Sequence, residues 1–153
     1  MIKQGYFLTQ GFGVAEHSLT AFDRSLIDAK VGEYNHIKVS SVLPSGLEKF
    51  DGVKIQKGSV VYSAYSNLIS KESGRTLSTC VAVGLPKDKG NIGMIMEHSD
   101  FAELVEVENV TIKLVKDAMS KRGIAISEII SAPISAVVPT NSFLSVFSAL
   151  VMW

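Results

Sequence analysis

The chain has 153 residues, carries 15 Lys and Arg against 15 Asp and Glu, and is 46% apolar. This length is typical of one domain, which we expect to span residues 1–153. Zero net charge excludes the overall attraction on which nonspecific binding to nucleic acids or anionic membranes depends. The apolar content excludes intrinsic disorder. The longest nearly apolar run, residues 143–153, is well short of the roughly 20 residues that a membrane-spanning helix needs.

The apolar content is high for a chain of this size. A domain of about 150 residues buries only about 68–70% of its unfolded surface, so we expect a second subunit to cover part of the remainder. Residues 1–7 show no long apolar core or small-residue cleavage site, so no signal peptide is expected. Cys80 is the single cysteine and lies in an apolar run, which is typical of a buried, inert thiol. Together these features predict a cytoplasmic protein.

The first predicted element is a short amphipathic helix with Thr20 as its N-cap and Gly32 after its last turn. Four strands follow, each predicted from Val, Ile or Tyr between turn residues: residues 36–44, 59–69, 76–85 and 92–97. The polar turn at residues 71–74 predicts that the second and third of these strands form a hairpin.

The longest helical pattern covers residues 101–122 and stops at Gly123. Its expected buried stripe has three- and four-residue spacing: Leu104, Val107, Thr111, Leu114, Val115 and Ala118. Two closing strands are predicted at residues 124–138 and 143–153. This order of elements predicts an α+β fold, with helices packed on an antiparallel or mixed sheet in a layered αββα sandwich.

Common catalytic motifs are missing from the chain. It has no P-loop, dinucleotide-binding fingerprint, HExxH motif or nucleophile elbow. The three histidines, His17, His36 and His98, lack the spacing of a metal site, and a lone histidine is more often structural than a ligand. We therefore expect no metal.

Two local features remain. Ser40 and Ser41 adjoin in an otherwise apolar predicted strand before Pro44, where the simplest interpretation is local hydrogen bonding of hydroxyls on opposite faces. Glu97 ends the apolar run of residues 92–96, where partial desolvation would raise its pKa towards that of a general acid. The alternative is an ordinary solvated charge at a strand end.

With their neighbours, these residues resemble the pyruvoyl-dependent arginine decarboxylase family over nearly the whole chain. The matching segments are TAFD at residues 20–23, NHIKVSSVLP at 35–44, GLPKDK at 84–89 and GMIME at 93–97. The pattern Asn-x-Ile-basic-x-Ser-Ser, followed by an apolar pair and proline, is fairly specific. A PKDK loop shortly before a GxIME strand strengthens the resemblance.

The resemblance implies a proenzyme that cuts itself between Ser40 and Ser41 into chains 1–40 and 41–153. The Ser41 hydroxyl would attack the Ser40 carbonyl to form an ester. β-Elimination and hydrolysis would then leave a covalent pyruvoyl group at position 41. Asn35 matches the family position assigned to stabilising the oxyanion, for which a side-chain amide is suitable; otherwise it is a turn residue. The pyruvoyl group would serve as the electron sink for decarboxylation, as pyridoxal phosphate does elsewhere, with no metal.

The resemblance also implies a substrate, L-arginine, and products, agmatine and CO2, in polyamine synthesis. Glu97 matches the family proton donor. Asp23 matches the carboxylate that binds the guanidinium by charge-assisted hydrogen bonds, although the sequence alone indicates only an acid near a helix start. Gly32 and Val42 match pocket-lining positions. Family members form trimers, sometimes paired, with active sites between subunits.

Arg24 departs from the family pattern, which often has a small residue after the aspartate. We expect that an ion pair between Arg24 and Asp23 would weaken the guanidinium site. This difference leaves the first of two alternatives open, and the second belongs to a different class of function. The chain could be a pyruvoyl decarboxylase of another amino acid, or an unprocessed, inactive oligomer that binds a ligand with the same fold.

Overall fold

The computed structural model describes residues 4–153, in which the chain forms two helices and ten strands. The helices are α1 (Ser18–Asp28) and α2 (Leu104–Lys121). The strands, in chain order, are β1 (Gly5–Ala15), β2 (Asn35–Lys38), β3 (Val42–Leu43), β4 (Glu48–Lys49), β5 (Val60–Ser70), β6 (Thr76–Pro86), β7 (Gly93–Asp100), β8 (Ile126–Ser131), β9 (Ile134–Val137) and β10 (Phe143–Met152). Neither helix of this part is long and apolar enough to cross a bilayer.

The strands form two sheets that pack face to face. The first sheet has the order β2-β5-β10-β1-β4 and is mixed, because its outer strands β2 and β4 pair in parallel with their neighbours. The second sheet has the order β3-β7-β6-β8, with β9 also paired to β6, and is antiparallel. Buried side chains from both sheets meet between them: Tyr6, Leu43, Ala64, Val81, Val83, Ile95, Leu150 and Met152.

Each helix covers the outer face of one sheet. On α1, Phe22 packs with the buried Phe147 of the first sheet. On α2, Val115 and Met119 pack with Met94 of the second sheet. Burial of apolar side chains in all three interfaces is the main stabilising contribution to such a fold. The layers therefore run helix, sheet, sheet, helix, and the predicted α+β architecture with helices on mixed and antiparallel sheets is confirmed.

Two glycines of β1 allow α1 to lie directly on the sheet. A Cβ built on Gly11 would stand 2.5 Å from the Ser25 carbonyl oxygen, and one on Gly13 would stand 2.5 Å from the Ser25 nitrogen. The helix backbone thus occupies the space that side chains would fill at these positions. Ser25 itself is buried, and its Oγ lies 3.2 Å from the Oγ of Ser145 on β10.

The predicted ends of the first helix are wrong. Thr20 lies inside α1, which begins at Ser18, and the helix ends before Gly32. Lys30 adopts a φ of 63° and takes the left-handed position after the helix. The Val31 N–H then donates back to the Leu26 carbonyl, which completes a Schellman-type end. The end of the helix was predicted from Gly32 because glycine usually takes the left-handed position, whereas Lys30 takes it here.

Two predicted strands are each divided. The strand predicted at residues 36–44 becomes β2 and β3, because the chain leaves the first sheet after Val39 and joins the second at Val42. The strand predicted at residues 124–138 becomes β8 and β9, with Pro133 between them. A proline cannot donate to a strand ladder, which accounts for the second break.

The predicted hairpin is also wrong. A turn does lie at residues 71–74, but β5 before it belongs to the first sheet and β6 after it to the second. The turn therefore joins the two layers. Local turn residues indicate that the chain reverses, whereas the sheet that each strand enters depends on packing with distant strands.

Helix α2 largely follows its prediction. Gly123, with a φ of 66°, ends it as expected. In the predicted stripe, Leu104 is only half-buried and Leu114 is exposed, while Met119 is buried in their place. The remaining predicted members are buried: Val107, Thr111, Val115 and Ala118.

Gly13→Ala tests the close approach of α1 to β1. The added methyl group must displace helix backbone, so we expect the free energy of unfolding to fall by about 1–3 kcal/mol, as for other overpacked sites. Gly90→Ala is the control, because the nearest atom to its new Cβ is a side-chain oxygen of Asp88 at 3.3 Å. Urea unfolding at one protein concentration measures the free energy of unfolding of each variant. Equal values for the two variants would contradict the close packing of α1 on β1.

Candidate functional site

The two adjacent serines lie where the chain crosses from one sheet to the other. Edge strands β2 and β3 belong to different sheets, and the serines fall in the link between them. On one side, the Val39 N–H donates to the Ser63 carbonyl at 3.0 Å. On the other, the Ser41 carbonyl accepts from the Ile95 N–H at 2.7 Å. The peptide bond between Ser40 and Ser41 is therefore held between two sheets.

The surroundings of the serines differ from the simplest sequence interpretation. Neither lies in a strand, so they do not alternate between the faces of one. Ser40 is exposed and Ser41 is half-buried. Val42 follows as the first residue of β3, pairs with Met94 and remains 42% exposed. Val42 is thus accessible next to the serine pair.

Glu97 faces the open edge of the sandwich beyond the end of β3. It lies opposite Val81 in the ladder and shares the inward face of β7 with Ile95. Burial raises the pKa of the Glu97 carboxyl, and the nearby Lys38 ammonium opposes this increase. Burial has the larger effect. Glu97 therefore holds a proton more readily than an exposed glutamate does, which supports the general-acid interpretation over an ordinary solvated charge.

Lys38 joins the site, although the sequence analysis assigned it no role. Its Nζ lies 3.5 Å from Glu97 Oε1 and 4.6 Å from the centroid of the Tyr65 ring. Tyr65 in turn packs against Phe147, with ring centroids 5.5 Å apart. The available signal was the position of Lys38 two residues before Ser40, since such residues share a face of an extended chain. Its contact with the other sheet has no local signal.

Asp23 and Gly32 lie away from Glu97 in the same chain. Asp23 is exposed on α1, and the first sheet separates that helix from the face that carries Glu97. Gly32 lies beside α1, where a Cβ built on it would stand 2.9 Å from the Ile27 side chain. Arg24 donates to the Val14 carbonyl, and no ion pair of Asp23 occurs among residues 4–153. The expected competition of Arg24 for Asp23 is therefore not seen in this chain.

Asn35 also lies away from the serine pair. It begins β2, at a distance of about 10 Å from Lys38 along the strand. Its Nδ2 donates to the Gly58 carbonyl at 2.9 Å, and its backbone N–H donates to Ser59. The structure therefore groups Ser40, Ser41, Val42, Lys38 and Glu97 at one edge. Within one chain, it leaves Asp23, Gly32 and Asn35 elsewhere.

His36 and Cys80 have structural surroundings. The two ring nitrogens of His36 lie 2.8 Å from Ser63 Oγ and 2.9 Å from the Val31 carbonyl oxygen. Cys80 is fully buried, and burial raises the pKa of its thiol to about 11. A thiol of this kind is almost entirely protonated at neutral pH and is a poor nucleophile. The prediction of a buried, inert cysteine is confirmed.

A separate cavity of about 640 Å³ opens at the end of the sandwich under residues 44–49. Its lining includes the buried Tyr6 and the exposed Glu128. Neither Ser41 nor Glu97 lines it. Three of the segments that carry the family resemblance contribute to its lining, residues 35–44, 84–89 and 93–97. The sequence did not predict the cavity, because these segments are distant along the chain.

Known proteins resemble the chain over almost its full length. Residues 5–153 match the family model for pyruvoyl-dependent arginine decarboxylase. The pyruvoyl-dependent arginine decarboxylase of Methanococcus vannielii is 36% identical over 146 residues, which cover 95% of this chain and 88% of the relative. That of Methanocaldococcus jannaschii is 32% identical over 146 residues, with coverage of 95% and 87%. Pyruvoyl-dependent arginine decarboxylase 1 of Methanosarcina acetivorans is 37% identical over 107 residues, with coverage of 67% and 65%. The chain belongs to the pyruvoyl-dependent arginine decarboxylase family.

Proposed function

We propose that this chain is a proenzyme that cuts itself between Ser40 and Ser41 and then converts L-arginine to agmatine and CO2. Family membership supports the reaction class, a carboxy-lyase that depends on a pyruvoyl group. The observation that carries the rest is the juxtaposition of the serine link with Glu97 at the open edge. A cytoplasmic location, favoured by the single unpaired cysteine, is part of the proposal.

The proposed cut uses atoms of the chain itself. The Ser41 hydroxyl oxygen bonds to the Ser40 carbonyl carbon, the peptide C–N bond breaks, and an ester with a free amino group results. Elimination then removes the α-hydrogen of residue 41 as a proton, breaks its Cβ–O bond and releases Ser40 as a carboxylate. The remaining dehydroalanine takes up water and loses ammonia, which leaves a pyruvoyl group at position 41.

The structure around position 41 fits a group formed in this way, because both new chain ends are anchored. Chain 1–40 keeps β1 between β10 and β4, and it keeps β2 on β5. At the start of chain 41–153, the carbonyl of residue 41 stays bonded to Ile95, and β3 stays paired with β7. The cut therefore requires no rearrangement of either sheet.

A pyruvoyl group, once formed, supplies a carbonyl that attracts electrons as CO2 leaves, which no unmodified side chain does. The side chains of the edge supply the remaining functions. Glu97 holds a proton on Oε and delivers it to the α-carbon of the substrate, a role that suits a carboxyl with a raised pKa. Val42 provides an accessible apolar contact for the substrate next to position 41.

We further propose that a second copy completes the pocket, in a trimer or a pair of trimers. The family resemblance assigns Asp23, Gly32 and Asn35 to the pocket, yet they lie away from Ser41 in their own chain. Exposed apolar side chains flank the open edge and would be covered by a neighbour: Ile37, Val42 and Val60. In this assembly, Asp23 of one copy binds the guanidinium beside Ser41 of the next.

Arginine remains the best-supported substrate. The alternative of another amino acid as substrate rested on a possible ion pair between Arg24 and Asp23. Arg24 instead donates to the Val14 carbonyl, which leaves the exposed Asp23 carboxylate available. A carboxylate binds a planar guanidinium through two parallel hydrogen bonds, which an ammonium cannot reproduce. This geometry favours arginine over lysine or ornithine.

Intact-mass spectrometry tests the cut. Purified protein is expected to contain chains 1–40 and 41–153, with a pyruvoyl group at the start of the second. Ser41→Ala is expected to stay whole because it lacks the attacking hydroxyl, whereas Ser45→Ala, at an exposed serine nearby, is expected to cut normally. A wild-type chain that stays whole after prolonged incubation would favour the inactive oligomer. Cutting of Ser41→Ala would contradict the mechanism.

Glu97→Gln tests the proton donor. Glutamine keeps the size of the side chain but cannot donate an acidic proton, so we expect the chain to be cut and kcat to fall by about 100-fold or more. Release of CO2 from labelled arginine measures the effect. Glu48→Gln removes an exposed carboxylate from the far edge of the first sheet and is the control. Normal turnover by a cut Glu97→Gln enzyme would remove Glu97 from the mechanism.

Asp23→Asn tests both substrate choice and the shared pocket. Wild-type enzyme is expected to release CO2 from arginine and not from lysine, ornithine or aspartate, and Asp23→Asn is expected to raise KM for arginine.

Co-expression of Asp23→Asn with Glu97→Gln chains is expected to restore part of the activity. Mixed oligomers then contain some pockets with both native carboxylates. No restoration in verified mixed oligomers would mean that the two residues do not come from different copies.

A further inference from the structure

Lys38 connects the two parts of the protein that the proposed cut would separate. It lies on β2 of the first sheet, in chain 1–40, whereas its partner Glu97 lies on β7 of the second sheet, in chain 41–153. The Nζ to Oε1 distance is 3.5 Å, and the two side chains are 53% and 37% exposed. The proposed mechanism gives Lys38 no task, yet within residues 4–153 its ammonium forms an ion pair with the proposed proton donor.

The position of Lys38 relative to the cut brings a second carboxylate within its reach. Lys38 precedes Ser40 by two residues, and residues so spaced in an extended chain share a face at a separation of about 6.8 Å. The hydrogen bond from Val39 to Ser63 keeps this segment against the first sheet. Cleavage replaces the neutral peptide group of Ser40 with a chain-terminal carboxylate. One negative charge therefore appears beside Lys38.

The present ion pair of Lys38 is of a kind that exchanges easily. Both side chains are partly exposed, and ion pairs of this type contribute little because water competes with them. The Tyr65 ring is packed against Phe22 and Phe147. It gives the ammonium a cation–π contact that does not depend on Glu97. Lys38 can thus turn from one carboxylate to another while it keeps this contact.

We propose that Lys38 is a positioning residue that changes partner when the chain is cut: it holds the Glu97 carboxylate across the open edge before cleavage and turns to the Ser40 carboxylate afterwards. This inference rests on the proposed cut between Ser40 and Ser41. It adds a link between processing and catalysis, because the event that makes the reactive group also releases the proton donor from its counter-charge.

The consequence is a change in the protonation of Glu97. A nearby cation favours the charged form of a carboxyl, so loss of the Lys38 contact raises the pKa of Glu97 and leaves burial unopposed. The Ser40 carboxylate, as a like charge, acts in the same direction. The uncut chain should therefore keep Glu97 ionised to a lower pH than the cut enzyme does.

Among residues 4–153, Lys38 is the charged group that pairs with Glu97. Opposite it on β6 lies the apolar Val81. Tyr65, from β5, lies against Lys38 by its ring, and the His36 ring of β2 is held by Ser63 and Val31. His98 follows Glu97 on β7 and so projects to the opposite face of that strand.

Titration of Glu97 in cut and uncut protein tests the exchange. The probe is glutamate labelled with 13C at the side-chain carboxyl, and the Glu97 signal is assigned by its loss in Glu97→Gln. We expect the midpoint in cut wild-type enzyme to lie about one pH unit above that in the uncut Ser41→Ala chain, a shift typical of the loss of an adjacent opposite charge. Equal midpoints would overturn the exchange.

Variants of Lys38 in the uncut Ser41→Ala background test the coupling without any need for activity. Lys38→Met is expected to raise the Glu97 midpoint towards the value of the cut enzyme, whereas Lys38→Arg keeps the positive charge and is expected to leave it low. Lys71→Met is the matched control, because Lys71 also lies over an aromatic ring, that of Phe143 at 5.3 Å. Lys38→Gln replaces Lys38→Met if the latter does not fold. An unchanged midpoint in the folded neutral variant would overturn the coupling.

The two sets of measurements separate this inference from the proposed function. If wild-type chain is never cut, the mass spectrum refutes the proposed function and the exchange together, while the uncut variants still decide whether Lys38 controls Glu97. If the chain is cut and active but the cut and uncut midpoints agree, the proposed function stands and the exchange is wrong.

Discussion

The candidate site depends on one crossing of the chain between the sheets, at the link between β2 and β3. The peptide bond between Ser40 and Ser41 is restrained by hydrogen bonds to both sheets. The Val39 N–H donates to the Ser63 carbonyl, and the Ile95 N–H donates to the Ser41 carbonyl. Neither restraint passes through the bond itself. The remaining pairing of β1 with β10 and of β3 with β7 is likewise independent of it. The fold can therefore lose this one covalent bond and keep its layers, which is the physical condition that a self-cutting proenzyme must meet.

The same crossing sets the electrostatics of the edge. Strand β3 has only two residues, so it covers the start of β7 and leaves Glu97 beyond its end. Half-burial raises the pKa of Glu97, and Lys38 from the opposite sheet moderates it.

Local patterns predicted those features whose physical causes are local. The apolar stripe and Gly123 predicted most of α2, and the apolar run around Cys80 predicted that this residue is buried. The end of α1 was missed because Lys30 adopts a conformation that usually indicates glycine. The passage of the chain from one sheet to the other at residues 71–74 and the contact of Lys38 with the second sheet were missed for another reason. Each depends on which sheet a strand enters, and that is decided by packing between distant segments.

The layered fold also explains why so small and neutral a chain would need partners for the proposed reaction. Its two sheets place the bond to be cut and Glu97 on one edge, while α1 carries Asp23 on the outer face of the first sheet. A single copy thus separates the proposed proton donor from the proposed guanidinium site by a full layer. Apposition of the open edge of one copy to α1 of the next would bring them together and would bury exposed apolar side chains such as Ile37 and Val60. Zero net charge is compatible with a cationic substrate under this arrangement, because recognition needs local carboxylates and not an overall negative charge.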